Sequence, residues 1–596
     1  MALLFTTTFK ATSEFFQAGY AYGLFMWGIY LLYCIGEQIH RGLVYLRRRR
    51  LTNGQDVAPL KVIPGWQRVF KRKIAIPFIT DCISVMEICH IVALLAINLI
   101  FIFFAPFTLS GDYMLPVADV SNRRCAYVGL VNFTIAFIMV TRNSIFSKLS
   151  SHSFDELVPY HRWYTRIGLA EQGVHIGYQI WKAYNRYGTV KASLFYNFEI
   201  QTGTIATLGY IILYITSFET IRRRYFEFFY YSHVFGILLS TAGALAHEYG
   251  DMAILAPGVF LWLVDRGFRY YNSHYQKTVT IAVEANEKQT FTRILFKKEG
   301  LEKSFIPGQY VFVAIRQSKG FRRMYESLNW HPFTISEIMT ESVQQQQEKS
   351  LETGKVNEVV DDLQDEKFKK SPTNVSSSHT PTLSSQNDSD DTAVSSGFAS
   401  IHIKGIGNMT KRLFSASQAN GEQIQLKVDG PFGANSVYFQ DYETVVLISA
   451  GVGVTPSLTI LKDLVEKRSK GYATVRTKTI HFVWSIREIE HAEAFVSILK
   501  ACRDLAAVSI QPLDLKFEIY LSASQDNGSE IFKDLGNSLT LHNKRAIVNE
   551  VMTDIAMQHT IERVAVQTCG PAGFMREVEN ISSANGWSVR AETFQF

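Results

Sequence analysis

The sequence has 596 residues, of which 47% are hydrophobic and 19% are charged, and its formal net charge is +6 at pH 7. A charge this small for the length gives no sign of a nucleic-acid-binding protein. The six cysteines form no C-x-x-C pair and no dense cluster, which excludes a disulfide scaffold and the common zinc sites. We expect no cleaved signal peptide, because no basic cluster precedes the first apolar segment.

Seven segments in the first half of the chain are apolar and long enough to cross a membrane. A spanning helix needs about 20 mostly apolar residues, and the segments lie at 17–37, 86–107, 125–143, 160–182, 203–219, 228–248 and 253–270. With seven spans, the basic clusters at 47–50, 71–73 and 222–224 share one side, which the positive-inside rule assigns to the cytosol. The N-terminus is then outside or lumenal, and the C-terminal half is cytosolic. The fourth segment carries Arg166 and Glu171 and is therefore expected to face the interior of a bundle.

From about residue 277 the pattern changes to short strands. The runs KTVTIAVEA, TFTRILF and QYVFVAI predict an antiparallel β-barrel, which a polar insertion at 341–397 interrupts. The insertion has few aromatic residues and is expected to be disordered. From about 442, apolar strands such as TVVLISA, TIHFVWS and RVAVQTCG alternate with helical stretches, which predicts an α/β domain with a parallel sheet.

Four histidines repeat one spacing on two of the apolar segments. His161 and His175 lie fourteen positions apart, and so do His233 and His247. Fourteen helical residues rise about 21 Å and return to within about 40° of the starting direction. Each pair therefore lies on one helix face, with its members near opposite sides of the membrane. One span separates the two segments, so they run parallel, and facing imidazoles at each level predict two bis-histidine haem sites.

A histidine inside a membrane has other uses. It commonly bonds to a neighbouring helix, which is the interpretation that we apply to His90. It also serves in proton relays, although nothing in the spacing of the two pairs supports that use. Six-coordinate iron has no vacant position, and this suits electron transfer better than binding of O2 at the metal.

Short motifs in the second half indicate nucleotide binding. SAGVGVTP (449–456) follows an apolar strand and precedes a helical stretch. Its glycines would let the backbone approach a pyrophosphate at a helix N-terminus, although a plain strand-to-helix turn explains them about equally well. CGPAGF (569–574) ends another strand and brings a thiol to the carboxyl edge of the sheet, where ligands bind in open α/β sheets. Cys569 is equally interpretable as a buried structural thiol.

Taken together and in order, these motifs resemble those of the ferric reductase and NADPH oxidase superfamily. The matching features are the histidine pairs, HPFTI (331–335), GPFG (430–433), GVGVTP (451–456), CGP (569–571) and a terminal aromatic residue, over about residues 86–596. Within the superfamily, the chain most resembles the short yeast proteins called probable metalloreductases of the altered-inheritance-of-mitochondria type. One protein of that group is also described as a yeast NADPH oxidase of the endoplasmic reticulum.

The resemblance implies a membrane α-helical bundle of about seven spans, followed by a β-barrel FAD domain and an α/β ferredoxin-reductase-like NADPH domain. The implied domains are an extra membrane span with a cytosolic basic linker (1–85), a six-span di-haem domain (86–272), an FAD-binding β-barrel (273–438) with the insertion 341–397, and an NADPH-binding domain (439–596).

The resemblance also implies roles for individual residues. The haem ligands would be His161, His175, His233 and His247. The flavin would be held by His331, Pro332, Phe333 and Thr334, and the NADPH pyrophosphate would be bordered by Gly451, Gly453 and Pro456. Near the nicotinamide would lie Cys569, as a catalytic residue, with Gly570 and Pro571.

Two further roles concern the 2′-phosphate of NADPH and the flavin ring. Arg487 would contact the 2′-phosphate, because a planar guanidinium suits that group, and this favours NADPH over NADH. Arg545 is a second candidate, in a segment that reads KRA where relatives commonly read GRP. A terminal aromatic residue, Phe596 or Phe594, would cover the flavin until the nicotinamide displaces it.

The expected activity is electron transfer from cytosolic NADPH, through FAD and two b-type haems, to an acceptor beyond the membrane. The last outer connection, EYGDM (248–252), is short and would leave the outer haem accessible to bulky metal chelates. We therefore expect ferric or cupric ions as acceptors, with O2 reduced to superoxide as the alternative. A non-catalytic scaffold and a haem-only carrier fit less well, because the flavin and nucleotide motifs are intact. The expected location is the endoplasmic reticulum or the plasma membrane.

Overall fold

The structure is a computed structural model of the chain, and it divides into two compact units: Met1–Tyr271 with Phe432–Phe596, and Asn272–Pro431. It describes residues 8–11, 17–55, 57–58, 60–76, 80–104, 113–142, 145–275, 278–286, 291–298, 301, 305–316, 326, 329–339, 398–405, 407–420, 424–433, 436–487, 489–523, 532–559 and 563–592. The predicted insertion at 341–397 and the terminal residues Phe594 and Phe596 lie outside this description.

The first unit begins with a helical region. Its helices are α1 (Gln17–Thr52), α2 (Gly65–Lys71), α3 (Val85–Phe103), α4 (Val117–Met139), α5 (Ile145–Ser150), α6 (Phe154–Tyr187), α7 (Val190–Phe195), α8 (Phe198–Thr216), α9 (Glu219–Arg224), α10 (Phe226–His247) and α11 (Tyr249–Tyr275). Each of the seven predicted apolar segments contains a helix, and residues 105–107 and 143 of these segments lie outside the described chain. Four helices in the described chain are long and apolar enough to cross a membrane, namely α1, α3, α8 and α10.

Four short strands accompany these helices. β1 (Thr8–Ala11) pairs antiparallel with β4 (Tyr113–Pro116), and β2 (Lys73–Ile76) pairs antiparallel with β3 (Thr80–Ser84). The second hairpin leads directly into α3, where Ser84 and Glu87 form a capping box. The Glu87 carboxylate accepts from the Ser84 backbone N–H at 2.6 Å, and the Ser84 hydroxyl accepts from the Glu87 N–H at 3.1 Å, which fixes the start of the helix.

Glycines bring the helices together in pairs. An added Cβ on Gly129 of α4 would lie 3.2 Å from the carbonyl oxygen of Gly168 on α6. An added Cβ on Gly209 of α8 would lie 2.5 Å from the backbone nitrogen of Ser240 on α10. Backbones approach this closely only where side chains are small, as is common between helices in membranes. α4 is therefore packed tightly on α6, and α8 on α10.

The expectation that α6 turns its charges into the bundle holds for Glu171 and is wrong for Arg166. Glu171 is 8% exposed, whereas Arg166 is exposed and its guanidinium lies 4.8 Å from the centre of the Trp163 ring. Five helical residues turn through about 500°, which places the two side chains about 140° apart around the axis. They cannot share one face of the helix.

His90 contacts a neighbouring helix, as predicted, but through its ring. Its imidazole packs against Tyr160 and Tyr164 of α6, with centroids 5.2 and 5.8 Å apart. Its Nε2 atom is buried and makes no hydrogen bond to any residue that the structure describes.

The end of α1 and the linker between α1 and α3 lie against the C-terminal part of the same unit. The Arg48 guanidinium donates to both carboxylate oxygens of Asp441, at 3.2 and 3.1 Å. The Asn580 side chain accepts from the Lys73 N–H at 2.7 Å and donates to the Lys73 carbonyl oxygen at 2.9 Å. The Lys73 ammonium also lies 3.6 Å from the Glu579 carboxylate. The extra helix and its linker are thus held to the C-terminal domain at several points.

In the residues that the structure describes, the second unit contains two β-sheets and the helix α12. Its elements are β5 (Thr278–Asn286), β6 (Phe291–Lys298), β7 (Tyr310–Arg316), β8 (His331–Thr334), β9 (Glu337–Met339), β10 (Phe398–Lys404), α12 (Asn408–Asn420) and β11 (Gln425–Phe432). The four-stranded sheet has the order β5-β6-β10-β9, and the three-stranded sheet has the order β11-β7-β8. The predicted strands are confirmed, and closure of the two sheets into a barrel stays a prediction.

The C-terminal part of the first unit is an α/β domain. Its elements are β12 (Thr444–Ala450), α13 (Val454–Ser469), β13 (Thr479–Ile486), α14 (Glu493–Ala507), β14 (Asp514–Leu521), β15 (Leu539–His542), α15 (Val548–Gln558), β16 (Ala565–Cys569), α16 (Ala572–Ala584) and β17 (Ser588–Glu592). All neighbouring strands run parallel, in the order β15-β14-β13-β12-β16-β17. The predicted parallel sheet is confirmed, and its strand order reverses between β12 and β16.

Candidate functional site

The four spaced histidines lie on two helices of the bundle and approach one another in the expected combination. His161 and His175 are on α6, and His233 and His247 are on α10, all half-buried. His161 lies within electrostatic range of His233, and His175 lies within range of His247. Since both pairings join residues in the same chain order, the two helices run parallel.

All four imidazoles use the same ring nitrogen for hydrogen bonds to the protein. The contacts are His161 Nδ1 with Ala136 O (3.1 Å), His175 Nδ1 with Asn122 Oδ1 (3.2 Å), His233 Nδ1 with Ser217 Oγ (3.2 Å) and His247 Nδ1 with Glu199 O (2.7 Å). Within the described residues, none of the four hydrogen-bonds through Nε2. At His161, His175 and His247 a carbonyl acceptor keeps the proton on Nδ1 and leaves the Nε2 lone pair for a metal, as in ligating histidines generally. The Ser217 hydroxyl gives His233 the same tautomer when it accepts from Nδ1.

The residues around the histidines also suit a large planar group. Gly173 and Gly177 flank His175 on α6, and a Cβ added to either would meet nothing within 4 Å. Gly203 of α8 is different, because its Cβ would lie 2.9 Å from the His247 imidazole. The donor set fits a haem at each histidine level, and these glycines fit one at the level of His175 and His247.

Sequence reasoning did not find the partners that orient the histidines. Asn122 holds His175, and its amide orientation is fixed because Nδ2 donates to the carbonyl oxygens of Ala118 and Asp119, at 2.9 and 2.8 Å. An asparagine beside an apolar segment is a weak signal that could have identified it. Ser217 carries no such signal, because its contact with His233 depends on how two helices pack.

The glycine turn and the CGP motif meet at the point where the strand order reverses. Gly451 has a φ of +58°, which favours glycine, and it begins the turn between β12 and α13. An added Cβ on Gly453 would lie 2.6 Å from the Cys569 carbonyl oxygen and 2.9 Å from its sulfur. Ligands of open α/β sheets bind in such a crevice. Pro456 is buried in the first turn of α13, directly behind the glycines.

Other predicted nucleotide residues lie at the same carboxyl edge of the sheet. Gly570 and Pro571 connect β16 to α16, and Pro571 is the residue before the first helical turn. Arg487 is exposed just after β13, and Arg545 is exposed beyond β15. Because β13 and β15 are parallel strands of one sheet, both arginines lie on the side where a nucleotide would bind.

Burial sets the chemistry of Cys569. The side chain is 4% exposed. Burial, together with the nearby Glu592 carboxylate, raises the pKa of the thiol well above its usual value. The neutral thiol is therefore the favoured form at neutral pH.

The predicted flavin residues occupy one edge strand of the second unit. β8 pairs antiparallel with β7, so that Thr334 opposes Tyr310 and His331 opposes Val313. Thr334 is buried, whereas the other three residues of β8 are half-buried. Pro332 is compatible with this position, because an edge strand does not need its N–H on the outer side.

Lys298 is a further residue of this unit that sequence reasoning missed. It is 5% exposed, and its ammonium donates to the carbonyl oxygens of Val428 and Gly430, at 3.2 and 2.8 Å. Burial lowers the pKa of Lys298, although the Asp429 carboxylate opposes that shift. The lysine fixes the start of the GPFG segment, and no motif would have indicated it.

Three family models match successive parts of the chain. Residues 125–244 match the ferric reductase like transmembrane component, residues 276–436 match an FAD-binding domain, and residues 442–583 match the ferric reductase NAD binding domain. The chain belongs to the ferric reductase and NADPH oxidase superfamily. The resemblance inferred from the motifs is thereby confirmed, whereas the likeness to the yeast group stays a prediction.

The relatives come from both branches of the superfamily. Ferric reduction oxidase 7, chloroplastic, of Arabidopsis thaliana is 23% identical over 437 residues, which cover 68% of this chain and 48% of that protein. NADPH oxidase 1 of Mus musculus is 25% identical over 438 residues, which cover 64% of this chain and 63% of that protein. The chain thus matches about half to two thirds of these relatives' lengths.

A solved flavohemoglobin from Malassezia yamatoensis aligns with 80% of this chain and 96% of its own, at 13% identity and a TM-score of 0.35. A score this low supports no inference about the present chain.

Proposed function

We propose that this superfamily member is a transmembrane oxidoreductase that passes electrons from cytosolic NADPH, through FAD and two haems, to ferric or cupric ions on the far side of the membrane. The observation that carries the proposal is the orientation of the four imidazoles. Each binds the protein through Nδ1, and the members of each pair lie within electrostatic range of each other on two parallel helices. One unpaired histidine would fit an ordinary helix contact, whereas two matched pairs fit two iron sites.

The chain's own residues bind and orient the cofactors. The flavin and the haems, when bound, supply the change from two-electron to one-electron chemistry. His161 with His233, and His175 with His247, would hold the two irons at separate levels. Asn122 would keep the His175 ring in one orientation, because its carbonyl oxygen also accepts from Gln179 Nε2 at 3.0 Å.

The nucleotide site would be built from the two loops at the reversal of strand order. Gly451 and Gly453 would let the backbone approach the pyrophosphate, and Arg487 would bind the 2′-phosphate. Cys569, kept as a neutral thiol, would border the nicotinamide together with Gly570. In the second unit, His331 to Thr334 would hold the flavin, with Lys298 fixing the adjacent GPFG segment.

The length of the outer connections favours metal ions as acceptors. α10 ends at His247 and α11 begins at Tyr249, so the connection that was expected to span 248–252 is the single residue Glu248. The expected length was too long because Tyr249 to Met252 already belong to the helix. A short connection beside His247 leaves little chain to cover an outer haem. Reduction of O2 to superoxide remains the second candidate, because NADPH oxidase 1 is among the relatives.

The remaining architectural predictions are part of the proposal. We assign seven spans, with α4, α6 and α11 crossing the membrane in addition to the four strongly apolar helices. The domains would be 1–85, 86–272, 273–438 as a closed barrel, and 439–596. The membrane would be the endoplasmic reticulum or the plasma membrane, with residues after 272 in the cytosol.

The decisive experiment is NADPH-driven reduction of a ferric chelate by purified, haem-loaded protein. The rate is measured in air with superoxide dismutase and again without oxygen. A rate that survives both conditions means direct reduction of the metal. A rate that disappears in both means that superoxide was the carrier, and the protein is an NADPH oxidase. Flavin and haem spectra that stay oxidised with NADPH under anaerobic conditions would overturn both functions.

A further inference from the structure

A chain of buried polar groups lies in the bundle around Glu171 of α6, one helical turn before His175. The Tyr22 hydroxyl of α1 donates to Asn132 Oδ1 at 2.7 Å, and Asn132 Nδ2 donates to Glu171 Oε2 at 2.9 Å. Tyr22 and Asn132 are 0% exposed, and Glu171 is 8% exposed. The two donor groups follow one another along this chain toward the carboxylate, so each hydrogen bond polarises and strengthens the next. The arrangement is therefore suited to a negative charge on Glu171.

No described basic side chain neutralises that charge. The titratable groups that interact with Glu171 are Tyr22 on α1 and Cys125 on α4, and neither is a cation. An unpaired carboxylate is strongly unfavourable inside a membrane bundle and usually marks a functional site. A bound metal ion would need several oxygen ligands, whereas the described residues contain no group of three or more His, Cys, Asp or Glu side chains placed to hold one. No described group therefore serves as a fixed counter-ion, and a proton from water is the species that can neutralise the carboxylate when further negative charge enters the bundle.

Asn98 of α3 is an independent sign that a small polar molecule belongs here. It is 2% exposed, and neither Nδ2 nor Oδ1 makes a hydrogen bond to a described residue. Its side chain lies beside the Tyr22 hydroxyl. Even with the Tyr22 hydroxyl beside it, this buried amide keeps at least one polar atom without a described partner, and such an atom is normally paired with an ordered water. Such a water would join the Tyr22–Asn132–Glu171 chain.

The same chain of groups continues toward the linker end of α3. Tyr164 of α6 is 3% exposed and lies within range of Tyr22. His90, whose buried Nε2 makes no hydrogen bond to a described residue, packs on Tyr164 with ring centroids 5.8 Å apart. Glu87 lies one turn before His90 and within electrostatic range of Lys73 in the linker. Polar groups thus lead from the basic linker to Glu171.

We propose that Glu171 is a proton-binding site that takes up one proton from the cytosolic side when an electron enters the bundle. The proposal rests on the proposed function, because NADPH supplies the electron. On electron entry, the Glu171 carboxylate binds one proton from cytosolic water and becomes a neutral carboxylic acid. When the electron leaves for the acceptor, the same O–H bond breaks and the proton returns. The added negative charge is thereby balanced inside a medium of low dielectric constant, where charge interactions are strong.

The test is a redox titration of the haem-loaded full-length chain at several pH values. Uptake of one proton per electron lowers the midpoint potential by about 59 mV for each unit rise in pH. One pH unit is a tenfold change in proton concentration, and a tenfold change corresponds to about 59 mV for a one-electron step. The Glu171→Gln variant keeps the shape of the side chain and should lose this pH dependence, whereas Glu171→Asp should retain it. The matched control is Glu37→Gln on α1, which removes a carboxylate that contacts Tyr33 instead.

Each outcome decides the proposal. A pH dependence that is the same in Glu171→Gln as in the wild type would overturn it. A wild type with two haems and no pH dependence would also overturn it and would leave the proposed function intact. A wild type that binds no haem would overturn the proposed function itself. If Glu171→Gln does not assemble, infrared difference spectra of wild-type protein with carbon-13-labelled glutamate decide: the carboxylic-acid C=O band should grow on reduction, and its absence refutes the site.

Discussion

Replacing Gly203 with alanine tests whether His247 holds a haem. The new Cβ would lie 2.9 Å from both Cε1 and Nδ1 of His247. Carbon atoms in contact prefer about 3.5–4.0 Å, so the ring or the helix would have to move by at least about 0.6 Å. The ring is not free to swing, because Nδ1 donates to the Glu199 carbonyl oxygen at 2.7 Å. Metal–ligand distances tolerate about 0.2 Å, and we therefore expect Gly203→Ala to lose most of the haem at this level.

The assay is the ratio of haem to protein, measured from the absorbance of the extracted haem. It should fall from about two haems per chain to about one. The matched control is Gly36→Ala on α1, where an added Cβ meets nothing within 4 Å, and it should keep both haems. Alanine favours a helix over glycine by about 1 kcal/mol, so a weaker helix cannot explain the loss. Two haems with an unchanged spectrum in Gly203→Ala would refute the assignment of His247 as a ligand.

Three further predictions concern the other parts of the chain. The pKa of Cys569 is higher in the folded than in the unfolded protein, so the buried thiol contributes fully to stability below the unfolded pKa of about 8.5. That contribution is lost as the pH rises from the unfolded pKa through the folded pKa. Alkylation at pH 8 followed by mass spectrometry should therefore modify Cys569 in the unfolded chain only. Asn580→Ala removes both hydrogen bonds to the Lys73 backbone and should lower the free energy of unfolding by about 1–3 kcal/mol. Proteolysis of the linker should become faster, and an unchanged cleavage rate would contradict this. Lys298→Met leaves the Gly430 carbonyl oxygen without its donor and should release flavin at lower temperature, seen as fluorescence, whereas unchanged retention would show that the lysine does not support the flavin site.

Short-range patterns explain why much of this fold could be predicted. Helices have a fixed rise and rotation per residue, so the spacing of His161 and His175 alone places both on one face of α6. The alternation in KTVTIAVEA and the apolar run TVVLISA likewise predict strands, because side chains alternate across a sheet. These inferences need no knowledge of what packs against the element.

The remaining features depend on tertiary packing. α1 continues to Thr52, well beyond its apolar segment, because arginines are good helix formers and charge does not end a helix. Its length brings Arg48 to Asp441, almost four hundred positions away in the sequence, and no local pattern encodes that pair. The Nδ1 partners are equally hidden, because two of the four are backbone carbonyl groups, of Ala136 and Glu199, which any residue would provide.

The pairing of helices explains why one histidine spacing occurs twice. The Nδ1 partners of the α6 histidines are both on α4, and those of the α10 histidines are Glu199 of α8 and Ser217 directly after it. The same helices, α4 with α6 and α8 with α10, are those that glycines bring into backbone contact. Each ligand helix is thus packed on a helix that orients its imidazoles, and the close approach at Gly129 and Gly209 sets the distance over which those hydrogen bonds form. The repeated unit is therefore a helix pair rather than a single helix, and a change that separates either pair would misorient both of its histidines together.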